Sequence, residues 1–184
     1  MKDQAAARPA IPDYRAMVAA VLAELGIPAD YATRRKLELC EEAQELVSIG
    51  ADVLGREQKL TPKAAEAWHT MRVAAERDGI QLLVVSAFRS FDYQRALILR
   101  KLDNGRSIGD ILKINAAPGY SEHHTGRALD LTAPDCQPLE QGFETTGAYV
   151  WLVKHAPRHG FRLSYPRDNP HGISYEPWHW AYIG

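Results

Sequence analysis

The chain has 184 residues, 46% of them hydrophobic and 24% charged, the balance of an ordinary folded domain rather than of a disordered, collagenous or disulfide-scaffold protein. At roughly 100 to 200 residues per domain, this length predicts a single domain able to bury a sizeable core. The 22 basic and 23 acidic residues leave a net charge of -1, which offers no positive excess to grip nucleic acid or an anionic membrane surface nonspecifically.

The longest apolar stretches, such as residues 79–88, run to about ten residues, short of the roughly 18 that a membrane span needs. Two cysteines, Cys40 and Cys136, allow one bridge at most and have no metal-site spacing, so they leave the redox compartment open. The first dozen residues, with four Ala and two Pro, are expected to be a loose arm. Residues 16–23 form an apolar run preceded by Lys2, Arg8 and Arg15, the outline of a secretory leader. Asp3 and Asp13 interrupt that basic region and Glu24 follows the run directly. Tyr14, Val18, Val21, Leu22 and Leu25 fall at helical spacing, so an amphipathic helix is the better reading.

Helices are predicted over residues 13–26, 30–48 and 62–78. The third has the clearest punctuation, with Thr61 as N-cap, Pro62 in the first turn and Gly79 after the end. Ile80 and the run 82–85 suit a buried strand. A helix over 91–102 and a shorter one over 109–117 follow, and Pro118-Gly119 turns the chain into an irregular segment of the kind where chemistry tends to sit. Residues 127–132 read as a strand, 145–158 as a helix, and 161–165 and 178–183 as strands. Helices first, then helices mixed with short strands, give an α+β protein: a helical N-terminal layer over 1–79 and a core over 80–184.

Three places carry residues able to do chemistry: Arg89 behind the first strand, His123 and Asp130 in SEHHTGRALD, and Glu176 with His179 in EPWHW. Two histidines and a carboxylate around an open fourth position make a catalytic zinc set, which His123, Asp130 and His179 would supply. Zinc lowers the pKa of a bound water and polarises carbonyls, and Glu176 is the natural general base beside it. Residues three apart in a regular strand face opposite sides, so Glu176 and His179 converge only if the chain bends, which Pro177 favours. Beyond the bend, Trp178, Trp180 and Tyr182 read as core packing. Gly126 and Ala128 are small where the loop must tighten. His124 competes with its neighbour His123 for the ligand position, and the residue pattern leaves that choice open. His69, His155, His159 and His171 read as surface, cap or loop histidines, with His171 the nearest of them to a site.

Together these segments resemble the VanY-type D-alanyl-D-alanine carboxypeptidases, within the zinc peptidase group that includes lysostaphin-like enzymes and the hedgehog amino-terminal domain. The pattern Ser-x-His-x-x-Gly-x-Ala-x-Asp is matched by Ser121, His123, Gly126, Ala128 and Asp130, and Glu-x-Trp-His by Glu176, Trp178 and His179. The family's Tyr-Arg-Ser element corresponds to Phe88-Arg89-Ser90, with Gln94 following, and residues 160–166 are similar to the strand before the catalytic loop. The similarity extends over about residues 80–184. The departures are Ala87 and Phe88 where the family often has Gly and Tyr, which removes a phenol hydroxyl.

The resemblance implies a small antiparallel sheet that carries the zinc site between flanking helices. It makes His123, Asp130 and His179 the zinc ligands, Glu176 the base and later proton donor, and Arg89 the group that steadies the oxyanion, with Ser121 and Gln94 touching substrate. The expected activity is removal of the terminal D-Ala from peptidoglycan stem peptides or precursors. The alternatives are an L,D-carboxypeptidase, a phage-type L-alanyl-D-glutamate endopeptidase and a zinc-stabilised binding module without turnover. The expected location is cytoplasmic, with the periplasm or cell wall as the alternative. The oligomeric state is left open.

Overall fold

Asp13 accepts a hydrogen bond from the Arg15 amide and opens the helix α1 (Tyr14–Glu24) in a computed structural model that describes residues 13–134 and 136–184. The arm expected over the first dozen residues lies outside that range. As the spacing required, α1 buries Val18 and Leu22.

The helix expected over 30–48 is the main departure. Only α2 (Tyr31–Arg35) forms, and it stops where Lys36 enters the left-handed region at φ 51°. Residues 36–46 contain good helix formers, yet they run as an irregular strap. Their amides are engaged elsewhere: Cys40 N–H donates to the Gly119 carbonyl at 2.7 Å and Ala43 N–H to the His124 carbonyl at 2.8 Å. The strap continues into an antiparallel hairpin, β1 (Val47–Ala51) and β2 (Glu57–Leu60), which overlaps the expected helix only at residues 47 and 48 and had not been expected.

From there the expected elements appear in order, except that the helix expected over 109–117 shrinks to a single turn at Ile108–Ile111. Helix α3 (Pro62–Arg77) buries Ala64, Trp68, Met71 and Ala75 along one face. Thr61 does not cap it with its side chain; its hydroxyl and amide both donate to the Gly126 carbonyl, at 3.4 and 2.9 Å. Then come β3 (Leu83–Ser86), α4 (Phe91–Asp103), α5 (Ile108–Ile111), β4 (Ala128–Thr132), α6 (Gly147–His155), β5 (Phe161–Leu163) and β6 (His179–Tyr182). Four of the strands form one antiparallel sheet in the order β3-β4-β6-β5.

Two cores hold these elements. One lies between the sheet and helices α3 and α6, with Trp68, Leu129, Leu131, Leu152, Phe161 and Trp180 at its centre. The other joins α1, α2, α4 and α5 through Val18, Tyr31, Phe91, Ile98 and Ile111. The architecture is the mixed helix and small-sheet fold expected, with a hairpin inserted in the N-terminal layer. Both cysteines are free thiols, and burial pushes the Cys40 thiol up to about 12. No described helix is long and apolar enough to cross a membrane.

Candidate active site

Strand pairing builds the floor of the site. Asp130 on β4 lies directly opposite His179 on β6, so both side chains leave the same face of the sheet. Their neighbours Leu129 and Trp180, also paired, point into the core beneath. His123 comes from a short 3-10 turn (Glu122–Thr125) just before β4, which Gly126 ends at φ 62°. A Cβ on Gly126 would lie 2.8 Å from Leu46 Cδ2 and 3.1 Å from Ala43 Cβ, so both the left-handed backbone and the strap packed against it require glycine there. Arg89 follows β3, and Glu176 precedes the turn into β6, where His179 N–H donates to the Glu176 carbonyl at 3.1 Å. That turn, at Pro177, is the bend that lets residues 176 and 179 converge.

His123, Asp130 and His179 are all buried, and each offers a ligand atom within 4.8 Å of the other two. His123 Nδ1 is hydrogen-bonded to the Ala87 carbonyl, which can only accept, so Nδ1 carries the proton. Nε2 is left with a lone pair, buried and without a hydrogen-bond partner, 3.2 Å from Asp130 Oδ2. Burial and then the charge of Arg89 hold His123 down at about 4, so it is neutral. His179 Nδ1 is 3.0 Å from Asp130 Oδ1, and its Nε2 is 2.8 Å from Glu122 Oε2. Burial opposes charge on His179, but the two carboxylates outweigh it and raise the imidazole to about 10. A metal that displaced the Nδ1 proton would leave Nε2–H on Glu122, the carboxylate–histidine support seen at many metal sites. An orphaned lone pair on His123, a carboxylate and a second imidazole around one point are a donor set that fits a divalent metal ion.

His124, the rival ligand, is buried but fully engaged: Nδ1 contacts the Arg89 carbonyl at 2.6 Å and Nε2 accepts from Gly119 N–H at 3.1 Å. It holds the loop and has no lone pair to give.

Glu176 is 8% exposed, and burial pushes its carboxyl up from 4.5 to about 7, with Asp130 and Glu122 also raising it and His179 and Arg89 pulling it back. Its Oε2 lies 3.9 Å from His179 Nδ1. Arg89 Nη2 is 3.8 Å from Asp130 Oδ2, and its Nε is buried and unpartnered. Arg89, Ser121, His123, Asp130, Glu176 and His179 line one cavity of about 200 Å³, together with Trp178, which sits partly buried at the wall while Trp180 fills the core. Gln94 is the one predicted residue outside that lining. It is buried on α4 behind Ala116, whose carbonyl takes its Nε2 hydrogen bond at 2.8 Å, and its Oε1 has no partner. A larger cavity of about 500 Å³ lies on the far side of Glu122 and Tyr165; His171 lines it and none of the ligand set does.

Two contributors escaped the sequence reading. Glu122 occupies a variable position of the His motif; burial opposes its charge, yet His179 and Arg162 hold it down at about 2. Its place beside the candidate ligand His123 was the signal the sequence offered. Gln58 on β2 accepts from Ala87 N–H at 2.8 Å, and the carbonyl of that same residue holds His123. Nothing local in the sequence marks Gln58.

Two imidazoles and a carboxylate around one point, a buried carboxylate able to exchange a proton near neutrality, and an arginine within the same small cavity have the chemistry of a metal-dependent hydrolase site. The chain belongs to the VanY family of D-alanyl-D-alanine carboxypeptidases, whose family model matches residues 57–184. That match begins in the β1–β2 hairpin rather than near residue 80, and so takes in Gln58 and α3. Over 128 residues the chain is 35% identical to a putative carboxypeptidase, YodJ, of Bacillus subtilis, a match over 66% of this chain and 45% of that protein. Among solved structures, the LdcB LD-carboxypeptidase superposes with a TM-score of 0.69 at 31% identity, over 78% of this chain and 70% of that one. A variant of the vancomycin-resistance D,D-pentapeptidase VanY in complex with Zn(II) superposes with a TM-score of 0.58 at 28% identity, over 76% and 79%. The chain spans less than half the length of three of its curated relatives.

Proposed function

We propose that this protein is a zinc-dependent D,D-carboxypeptidase that hydrolyses the terminal D-Ala-D-Ala bond of peptidoglycan stem peptides or precursors. The observation that carries the reading is the convergence of His123, Asp130 and His179 with Glu176 and Arg89 in one buried cavity. The three ligands would hold the zinc, which when bound supplies Lewis-acid activation of water and of the scissile carbonyl. Glu176 takes a proton from the attacking water and delivers it to the leaving amine, a task suited to a carboxyl raised to about 7. Arg89 meets the negative charge that grows on the carbonyl oxygen. Glu122 keeps the His179 ring oriented. Ser121 contacts substrate from the cavity wall, and Gln94 supports that wall through Ala116. A purely structural zinc site would need neither Glu176 nor Arg89, which weighs against a binding module without turnover.

A second reading, an L,D-carboxypeptidase, is favoured by the higher TM-score of the LdcB superposition. Mass spectrometry of products from zinc-loaded protein and N-acyl-L-Lys-D-Ala-D-Ala, beside the corresponding peptide ending in a single D-Ala, separates the two. Loss of one D-Ala from the first peptide, absent in Glu176→Gln, supports the D,D reading. Cleavage of the shorter peptide alone replaces it with the L,D one.

A further inference from the structure

The cavity holds two cationic side chains besides its imidazoles, and their surroundings differ. Arg89 faces the Asp130 carboxylate. Lys101 reaches the same cavity from the last turn of α4, about two turns beyond the buried Gln94 and one beyond Ile98. Its Nζ donates to Asn115 Oδ1, another cavity-lining group, and that neutral amide is its only side-chain partner among the described residues. Burial, then Arg106 and Arg89, press the ammonium below the ordinary lysine range, and Glu176 only partly offsets them. A half-buried ammonium that forms no ion pair with a carboxylate among the described residues is costly to keep and has donors to spare, the arrangement of a site waiting for an anion.

The reading of the protein as a carboxypeptidase, on which this inference rests, supplies that anion. An exopeptidase of this type must recognise the free carboxylate one residue beyond the bond it cuts, whereas an endopeptidase must let the chain run on. The cavity, about 200 Å³, is smaller than the roughly 300 to 1,000 Å³ of most small-molecule sites, a size for a chain end rather than a through-running strand. We propose that Lys101, steadied by Asn115, binds the terminal carboxylate of the substrate and thereby restricts the enzyme to removal of the last residue. Neither residue belongs to the motifs that define the site.

The test uses two peptides of one sequence, one with a free C-terminal carboxylate and one amidated, with zinc-loaded wild type, Lys101→Met and Lys101→Arg. Wild type is expected to prefer the acid strongly. In Lys101→Met, KM for the acid should rise about 10- to 100-fold, the loss of one charge-assisted contact. The effect should fall on KM rather than kcat, the acid-to-amide preference should collapse toward one, and Lys101→Arg should recover most of it. Removing an uncompensated cation should leave the melting temperature at or above that of wild type, which separates lost recognition from lost folding. An unchanged KM and preference in Lys101→Met would overturn the inference and leave the carboxypeptidase reading standing. Failure of zinc-loaded wild type to release a terminal residue from any free-acid peptide would sink both.

Discussion

Asp52 in the β1–β2 hairpin and Glu176 in the cavity are both buried carboxylates, and they are treated in opposite ways. Asp52 accepts four hydrogen bonds, from the amides of Leu54 and Arg56, from Arg56 Nε at 2.7 Å and from Gln58 Nε2 at 2.9 Å. Among the described residues Glu176 has no such partners for its carboxylate, only His179 Nδ1 at 3.9 Å. Around it, His123 Nε2 and Arg89 Nε are also buried without partners, as is Gln94 Oε1 behind the wall. The hairpin closes its polar groups on one another and gains rigidity. The cavity leaves them open at a cost, and open polar groups in a buried cleft mark the place where something else must bind.

This contrast is sharpest at Glu176→Gln, which should lower kcat about 10²- to 10⁴-fold while one zinc per chain remains bound, as read by product formation and metal analysis. Full activity in that variant would remove Glu176 from the mechanism. Next in size, Asp52→Ala should destabilise the protein by about 3 kcal/mol in urea unfolding, because four donors lose a buried charged acceptor. A loss under about 1 kcal/mol would mean that the hairpin is no rigid frame.

The same measurement on metal-free Glu176→Gln should give the opposite sign. Folding raises the Glu176 carboxyl from 4.5 to about 7. Its favourable contribution is therefore present below about pH 4.5 and lost as pH rises through 7. At pH 8 the variant should be more stable than wild type by roughly 2 to 3 kcal/mol, and the gain should vanish near pH 4. A variant less stable at pH 8 would show that the carboxylate is better solvated than its burial indicates. The smallest effect belongs to Glu122→Gln, which should weaken zinc about 10- to 100-fold in a chelator competition and leave the stoichiometry at one. Unchanged affinity would reduce Glu122 to a packing neighbour of His179.

Most elements after residue 60 were legible in the sequence because short-range signals agreed there: Pro62 in a first turn, the apolar run before Ser86, and Pro118-Gly119 breaking the chain into the loop before β4. The stretch 36–60 was not. Its leucines, glutamates and alanines carry helix propensity, but the amides of Cys40 and Ala43 gain more from the carbonyls of Gly119 and His124 than from a local helix, and a weak local preference yields to tertiary partners. The candidate ligand set His123, Asp130 and His179 was named by the family resemblance, and the structure brings those three residues together. The physical reason for His123 over His124 was not legible, since it depends on Ala87 facing one ring and on Arg89 and Gly119 facing the other.

By itself the sequence determined the chemistry available: two histidines, an aspartate, a glutamate and an arginine in a fixed order, with glycine where the backbone must turn left-handed, because residue type and local spacing are properties of the chain. Tertiary structure alone decided which of those groups stay unsatisfied. Pairing of β4 with β6 set Asp130 opposite His179, Glu122 claimed one nitrogen of His179, and the hairpin fixed the carbonyl that orients His123. Whether a buried polar atom is closed or open depends on partners that lie dozens of residues away, and only the folded chain brings them together.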